Sequence, residues 1–162
     1  MPNRRLFLLS SAGALALSAL RFPVAAFAEE TFEVTHTDAE WKAMLTGEQY
    51  SVLRQEDTER PFSSALNTEK RKGVFHCAGC ELPLYSSETK YDSGTGWPSF
   101  WEALPNAVGL REDKTFGMVR TECHCRRCGG HLGHVFDDGP PPTGKRHCIN
   151  GLAMTFTAGA TS

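Results

Sequence analysis

Two Cys-x-x-Cys pairs, Cys77-Ala78-Gly79-Cys80 and Cys125-Arg126-Arg127-Cys128, separated by the 44 residues 81–124, constrain this chain more than any other feature. One pair lets two thiolates reach a single ion at about 2.3 Å, and a second pair completes a tetrahedron closed to solvent. Four sulfurs of this kind make a structural zinc site without a catalytic opening. Two disulfides are the alternative in an oxidising compartment. The shared spacing favours zinc, with Gly79 or Gly129 placed where a knuckle turns.

The amino-terminal residues carry an address. Asn3-Arg4-Arg5-Leu6-Phe7-Leu8-Leu9 opens a twin-arginine pattern, an apolar run continues to Leu20, and Ala26-Phe27-Ala28 supplies a small-x-small cleavage site. The run is shorter than the ~20 residues that span a bilayer. The expectation is export to the periplasm by the twin-arginine route, removal of residues 1–28, and no stable membrane insertion afterwards. Cleavage takes away three arginines and no acid, leaving residues 29–162 as a single domain of net charge −5. A route for folded cargo also lets a metal be inserted before export.

Over the whole chain 17 Lys+Arg stand against 19 Asp+Glu, and 40% of residues are hydrophobic. That suffices for one globular core and excludes a generic nucleic-acid binder, whose affinity rests on many cationic contacts. Thr37-Asp38-Ala39-Glu40 matches a capping box followed by Trp41, Met44 and Leu45 on one face, which predicts a short helix from near Asp38, ended by Gly47. A second helix is expected over Glu48 to Gln55, and both should pack without carrying chemistry. From Gly73 onward, short apolar pieces split by turn residues predict an antiparallel β domain. Its strands are expected at Gly73 to His76, Val108 to Glu112, Met118 to Cys125, Leu132 to Phe136, Arg146 to Asn150 and Ala153 to Phe156. Asp137 to Gly144 must be a loop.

Cys123 and Cys148 remain. Strand alternation around Cys148 puts Arg146, Cys148 and Asn150 on one face, where the cation favours the reactive thiolate. An inert buried cysteine beside a surface arginine is the plainer alternative. His131-Leu132-Gly133-His134-Val135-Phe136-Asp137-Asp138 offers two imidazoles and acidic partners for proton transfer near neutral pH, or else a second metal site or surface histidines. An i, i+3 pair on a straight strand faces opposite ways, so both histidines point inward only if Gly130 and Gly133 bend the backbone. Ser93-Gly94-Thr95-Gly96-Trp97-Pro98-Ser99-Phe100 presents Trp97 and Phe100, which either plug the core or wall a pocket for a methyl group or soft sulfur.

Together these motifs resemble the B-type methionine sulfoxide reductases, which reduce the R epimer of methionine sulfoxide in proteins. The resemblance runs from about Phe32 to Phe156. It rests on Tyr91-Asp92-Ser93-Gly94-Thr95-Gly96-Trp97-Pro98-Ser99-Phe100, both Cys pairs, His131 through Pro140, and Arg146-His147-Cys148-Ile149-Asn150. It implies a mainly β fold of two small antiparallel sheets, a β-tent, with short N-terminal helices and zinc remote from the active site. It also implies that Cys148 attacks the sulfoxide sulfur while His134, helped by His131, protonates the departing oxygen. Asp138 and Asn150 would orient the site, Arg146 would hold the thiolate, and Trp97 would contact the methyl group, with Phe100 as a second substrate-binding aromatic. Methionine departs and Cys148 is left as a sulfenic acid.

Three positions depart from the family pattern. Many members carry at position 95 a cysteine that resolves the sulfenic acid, a role closed to Thr95. His147 stands where Tyr or Phe is usual, and Gly151 where Ser is common. Cys123 is the other candidate resolver, but alternation puts it on the face of Cys125, and a disulfide needs Cα atoms ~4.4–6.8 Å apart. Direct regeneration by a thioredoxin-like protein or a small thiol is expected instead. A zinc-ribbon module that binds peptides without turnover explains Cys77, Cys80, Cys125 and Cys128 but leaves Cys148 and both histidines idle. A cysteine hydrolase using Cys148 and His134 lacks a clear oxyanion loop.

Overall fold

A computed structural model describes residues 30–159, the Phe116 side chain excepted. The twin-arginine pattern and the cleavage site lie outside the described residues, among which no helix is long and apolar enough to cross a membrane.

Helix α1 (Asp38–Met44) is opened by Thr37 in a complete capping box with Glu40. Gly47 does not end it: Leu45 is the C-cap, and Thr46 opens a second capping box with Gln49, so Gly47 becomes the first residue of α2 (Gly47–Gln55). Reciprocal capping bonds here outweigh the weak helix propensity of glycine. Trp41, Val52 and Leu53 anchor the two helices in the core.

Among the described residues nine strands follow: β1 (Gly73–Cys77), β2 (Pro83–Ser86), β3 (Lys90–Tyr91), β4 (Ser99–Phe100), β5 (Val108–Asp113), β6 (Arg120–Cys125), β7 (His131–Phe136), β8 (Arg146–Ile149) and β9 (Met154–Ala158). They form two antiparallel sheets, ordered β2-β1-β9 and β3-β4-β8-β7-β6-β5. All six expected strands are present. The unexpected β2, β3 and β4 are too short to show an alternating pattern, and β2 opens on a proline.

Two details of register decide which side chains share a face. In β7 the pairs Cys123↔Gly133 and His124↔His131 leave Leu132 as an extra residue, a bulge that turns His131 onto the face of His134. Gly133, at φ +156°, permits the close approach of β8, because a Cβ there would lie 2.1 Å from the Cys148 carbonyl oxygen. Gly130 makes room for Leu53 instead.

In β8, His147 and Ile149 are buried while Arg146 and Cys148 are half-buried, which is the expected alternation. Ser99 pairs with Cys148 and Phe100 with His147, so Phe100 follows His147 into the core. Phe100 is fully buried and stacks on Tyr85 with ring centroids 4.3 Å apart; it is a core residue and does not line the cavity beside Cys148. Cys123 pairs with Gly133, and Gly133 with Ile149, which places Cys123 on the core face as well. The Tyr85 hydroxyl lies 3.1 Å from His147 Nδ1 and 3.5 Å from Cys123 Sγ.

Burial, with a smaller contribution from the Lys145 charge, pushes His147 down to about 4. An unfolded histidine titrates near 6.5, so between these values the unfolded chain binds the extra proton. The stability due to a neutral His147 is therefore complete above pH ~6.5 and lost progressively towards pH ~4, by on the order of 3 kcal/mol. His147→Phe should remove this component. The urea midpoints of wild type and variant should diverge as pH falls from 6.5 to 4, with the variant losing less. Parallel curves would contradict the assignment.

Candidate active site

β7 and β8 are neighbours in the larger sheet, and their register sets His134 directly opposite Cys148. Above that pair lies a cavity of about 150 Å³, walled by Trp97, Phe136, Thr58, Arg120, Gly133 and Asn150 together with His134 and Cys148. Such a volume holds a group about the size of benzene, the end of one side chain rather than a large cofactor.

Burial pushes the Cys148 thiol above its ordinary value, and the Thr95 hydroxyl and the Arg146 guanidinium pull it back only in part. Thr95 Oγ1 lies 4.0 Å from Cys148 Sγ, so position 95 is indeed adjacent to the thiol. Ser93 holds that threonine at 2.8 Å and bonds Ser99 at 2.7 Å. Arg146 is gripped by both oxygens of Asp138, at 2.8 and 2.9 Å, and lies over the Phe136 ring. Asp138 is exposed, and its carboxylate contacts Arg146 without lining the cavity.

The two histidines carry separate carboxylate partners. His134 Nε2 lies 2.9 Å from Asp113 Oδ2, and His131 Nδ1 lies 2.6 Å from Glu122 Oε1. Hydrogen bonds from Thr115, its backbone N–H first, and from His134 hold the Asp113 carboxyl far below its usual range, so it accepts the Nε2 proton and leaves Nδ1 of His134 with the lone pair. Burial lowers His134 itself, against the pull of Asp113. Burial also drives Glu122 upward, but His131 and Arg111 outweigh it, and its carboxyl ends below the ordinary value. His131 does not line the thiol cavity. It lines an adjoining polar chamber of about 520 Å³ with Asp113, Glu122 and Arg120, its ring 5.4 Å from that of His134. Its Nε2 is buried without a partner among the described residues.

Asn150 accepts from the Glu59 backbone N–H at 3.0 Å and donates through Nδ2 to the Leu132 carbonyl at 3.0 Å. Trp97 Nε1 donates to the Glu59 carbonyl at 3.1 Å. Thr58, which lines the cavity, and Glu59 come from the segment after α2, to which sequence reasoning assigned no role in the site. Sequence reasoning also missed Asp113, Glu122 and Phe136. A carboxylate inside a buried strand such as β6 was the available signal, because it requires a partner.

The four zinc-type cysteines come together away from the thiol cavity, and none of them lines it. Their sulfurs lie within 4.8 Å of one another, with Cys77–Cys128 at 3.8 Å and Cys80–Cys125 at 3.5 Å. A tetrahedron with 2.3 Å bonds has edges of about 3.8 Å, so the set fits a zinc ion. The two knuckles share one pattern: Cys77 N–H donates to Leu82 and Cys125 N–H to Gly130, while Glu81 and Gly129 donate back to Cys77 and Cys125. The left-handed residue is the one after each pair, Glu81 and Gly129, and Gly79 has no such role.

A family model described as SelR domain matches residues 45–158. A protein of Agrobacterium fabrum named peptide methionine sulfoxide reductase MsrB is 54% identical over 125 residues, covering 76% of this chain and 93% of that one. Proteins of the same name from Methanosarcina barkeri and Thiobacillus denitrificans are 56% and 57% identical, covering 76% and 74% of this chain and 87% and 92% of their own lengths. With the thiol, the paired histidines and the four-cysteine cluster in this arrangement, the chain belongs to the SelR-domain family of MsrB-type peptide methionine sulfoxide reductases.

Proposed function

We propose that this enzyme reduces the R epimer of methionine sulfoxide in proteins, with Cys148 as nucleophile and His134 as the proton carrier. The observation that carries this is the cross-strand pair of Cys148 and His134 inside a cavity sized for one methyl sulfoxide group. A sulfoxide oxygen leaves poorly unless protonated, so the attacking sulfur needs an acid across from it. The proton given up by the Cys148 thiol passes to His134 and on to the oxygen as the S–S contact forms and the S=O bond breaks. Cys148 ends as a sulfenic acid, the sulfide leaves, and oxygen transfer oxidises the cysteine sulfur by two electrons while reducing the substrate sulfur by two. Trp97 and Phe136 give the methyl group an apolar wall, Arg146 draws the thiol towards its anion, Asp138 holds Arg146, Asn150 ties the thiol strand to β7, and His131 supports His134 from the polar chamber. A methyl wall, an attacking sulfur and a proton donor on three sides define one hand of the sulfoxide.

Regeneration falls to an external dithiol or to small thiols. Thr95 occupies the place next to Cys148 and cannot form a disulfide, while Cys123 faces the core and burial pushes its thiol up to about 12. One thiol attacks the sulfenic acid and releases water, and a second frees Cys148 by thiol–disulfide exchange. We place the enzyme in the periplasm, exported folded by the twin-arginine route, with a structural zinc ion on Cys77, Cys80, Cys125 and Cys128. Zinc there would offset half the charge of four crowded thiolates and clamp the end of β1 to the β6–β7 turn.

Supplied with dithiothreitol and each epimer of a methionine sulfoxide peptide, the enzyme should reduce the R form alone, and Cys148→Ser should lower the rate by about 10³-fold or more. Reduction of only the S form would contradict the assignment. Complete removal of zinc should unfold the domain, since ion binding contributes folding free energy comparable with the ~5–15 kcal/mol stability of a domain. A far-ultraviolet spectrum and activity both retained after metal removal would defeat the structural role.

A further inference from the structure

Glu59 is a carboxylate only 7% exposed, outside every motif singled out in the sequence. Its two backbone contacts reach residues of the thiol cavity, and its two carboxylate contacts reach the turn that follows the strand of Cys148. Its backbone N–H donates to Asn150 Oδ1 at 3.0 Å, and its carbonyl accepts the Trp97 indole N–H at 3.1 Å. Its carboxylate accepts the backbone N–H groups of Gly151 at 2.6 Å and Leu152 at 3.0 Å. Those two amides open the short 3-10 turn Gly151–Ala153, which follows directly on the strand of Cys148. Asn150, at the N-cap of that turn, makes no capping bond because its side chain is turned towards Glu59 and Leu132. Asn150 and Glu59 thus exchange caps, each satisfying the backbone donors the other leaves exposed. Through Asn150 Nδ2 the connection continues to Leu132, the bulge residue between the two histidines.

We infer that Glu59 is a positioning residue for the sulfoxide reaction, one that fixes the Trp97 wall to the end of the thiol strand and so sets the room available to the group on sulfur. The inference rests on the reductase function proposed above and adds a specificity determinant to it. Gly151 leaves little freedom here, since a Cβ at that position would lie 1.9 Å from Ser64 Oγ and 3.3 Å from Glu59 Oε1. Glu59→Gln would turn one N–H2 donor towards an amide that also donates, breaking one of the two carboxylate contacts. Glu59→Asp keeps both acceptor oxygens on a shorter stem.

The test is the ratio of kcat/KM for the R-sulfoxides of N-acetylmethionine and its S-ethyl homologue, measured with dithiothreitol. Loss of folded enzyme lowers both values alike and leaves the ratio untouched. Wild type should favour methyl by about 10-fold or more, the preference should shrink to about threefold or less in Glu59→Gln, and Glu59→Asp should retain more of it. Equal ratios in wild type and variants would overturn the positioning role alone, whereas a wild type that reduces neither sulfoxide would overturn the reductase function and the inference with it. If neither variant folds, hydrogen exchange in the wild-type protein decides. The Trp97 indole N–H and the Gly151 and Leu152 amides should be protected as strongly as the amides of β7 and β8, and exchange at the rate of exposed groups would refute the inference.

Discussion

The pairing of β7 with β8 brings an imidazole and a thiol to opposite sides of one strand boundary. Most of the site's geometry depends on how closely those strands approach. Gly133 removes the side chain that would collide with the Cys148 carbonyl, and the Leu132 bulge rotates His131 to the side of His134. Without the bulge, alternation would send one histidine into the core, where burial of an unpaired imidazole is costly. The same register sends Phe100, His147 and Cys123 inward, so one set of strand contacts separates the residues available for chemistry from those that pack.

Low polarity in the cavity shapes the proton balance. A half-buried thiol whose titration burial has raised and an imidazole whose titration burial has lowered are both biased towards their neutral forms. That pair holds the labile proton of the thiol, and the proposed oxygen transfer would consume one proton at the oxygen and release one from the thiol. Asp113 fixes which nitrogen of His134 keeps its hydrogen, and Glu122 does the same for His131, so the two acids act on tautomers rather than on substrate. Thr95 at 4.0 Å from Cys148 gives the sulfur a hydroxyl neighbour where a second thiol would permit internal resolution.

Much of this was legible in the sequence, for reasons that can be stated residue by residue. The zinc-type set was visible because two equal Cys spacings have few other uses, and the helices because Thr37 and Glu40 form a box that needs no tertiary partner. The face of Cys148 followed from alternation in an ordinary strand. Phe100 escaped because β4 has two residues, too few to display a period, and its direction comes only from pairing with β8. Gly47 misled because a glycine after an apolar run usually stops a helix, and here the Thr46 box restarts one. Thr58, Glu59, Asp113 and Glu122 were hidden because their roles are set by partners up to 93 residues away in the chain, which no local pattern encodes.

The central proposal is that the oxygen of the substrate comes to rest on the sulfur of Cys148. A single turnover without reductant tests it most directly: reduced enzyme is mixed with one equivalent of a methionine R-sulfoxide peptide, sulfenic acids are trapped with a carbon nucleophile such as dimedone, and the adduct is located by mass spectrometry. One equivalent of methionine should form with one adduct on Cys148. Methionine formed with the adduct on another residue, with a Cys123–Cys148 disulfide, or with no oxidised cysteine at all would contradict the account.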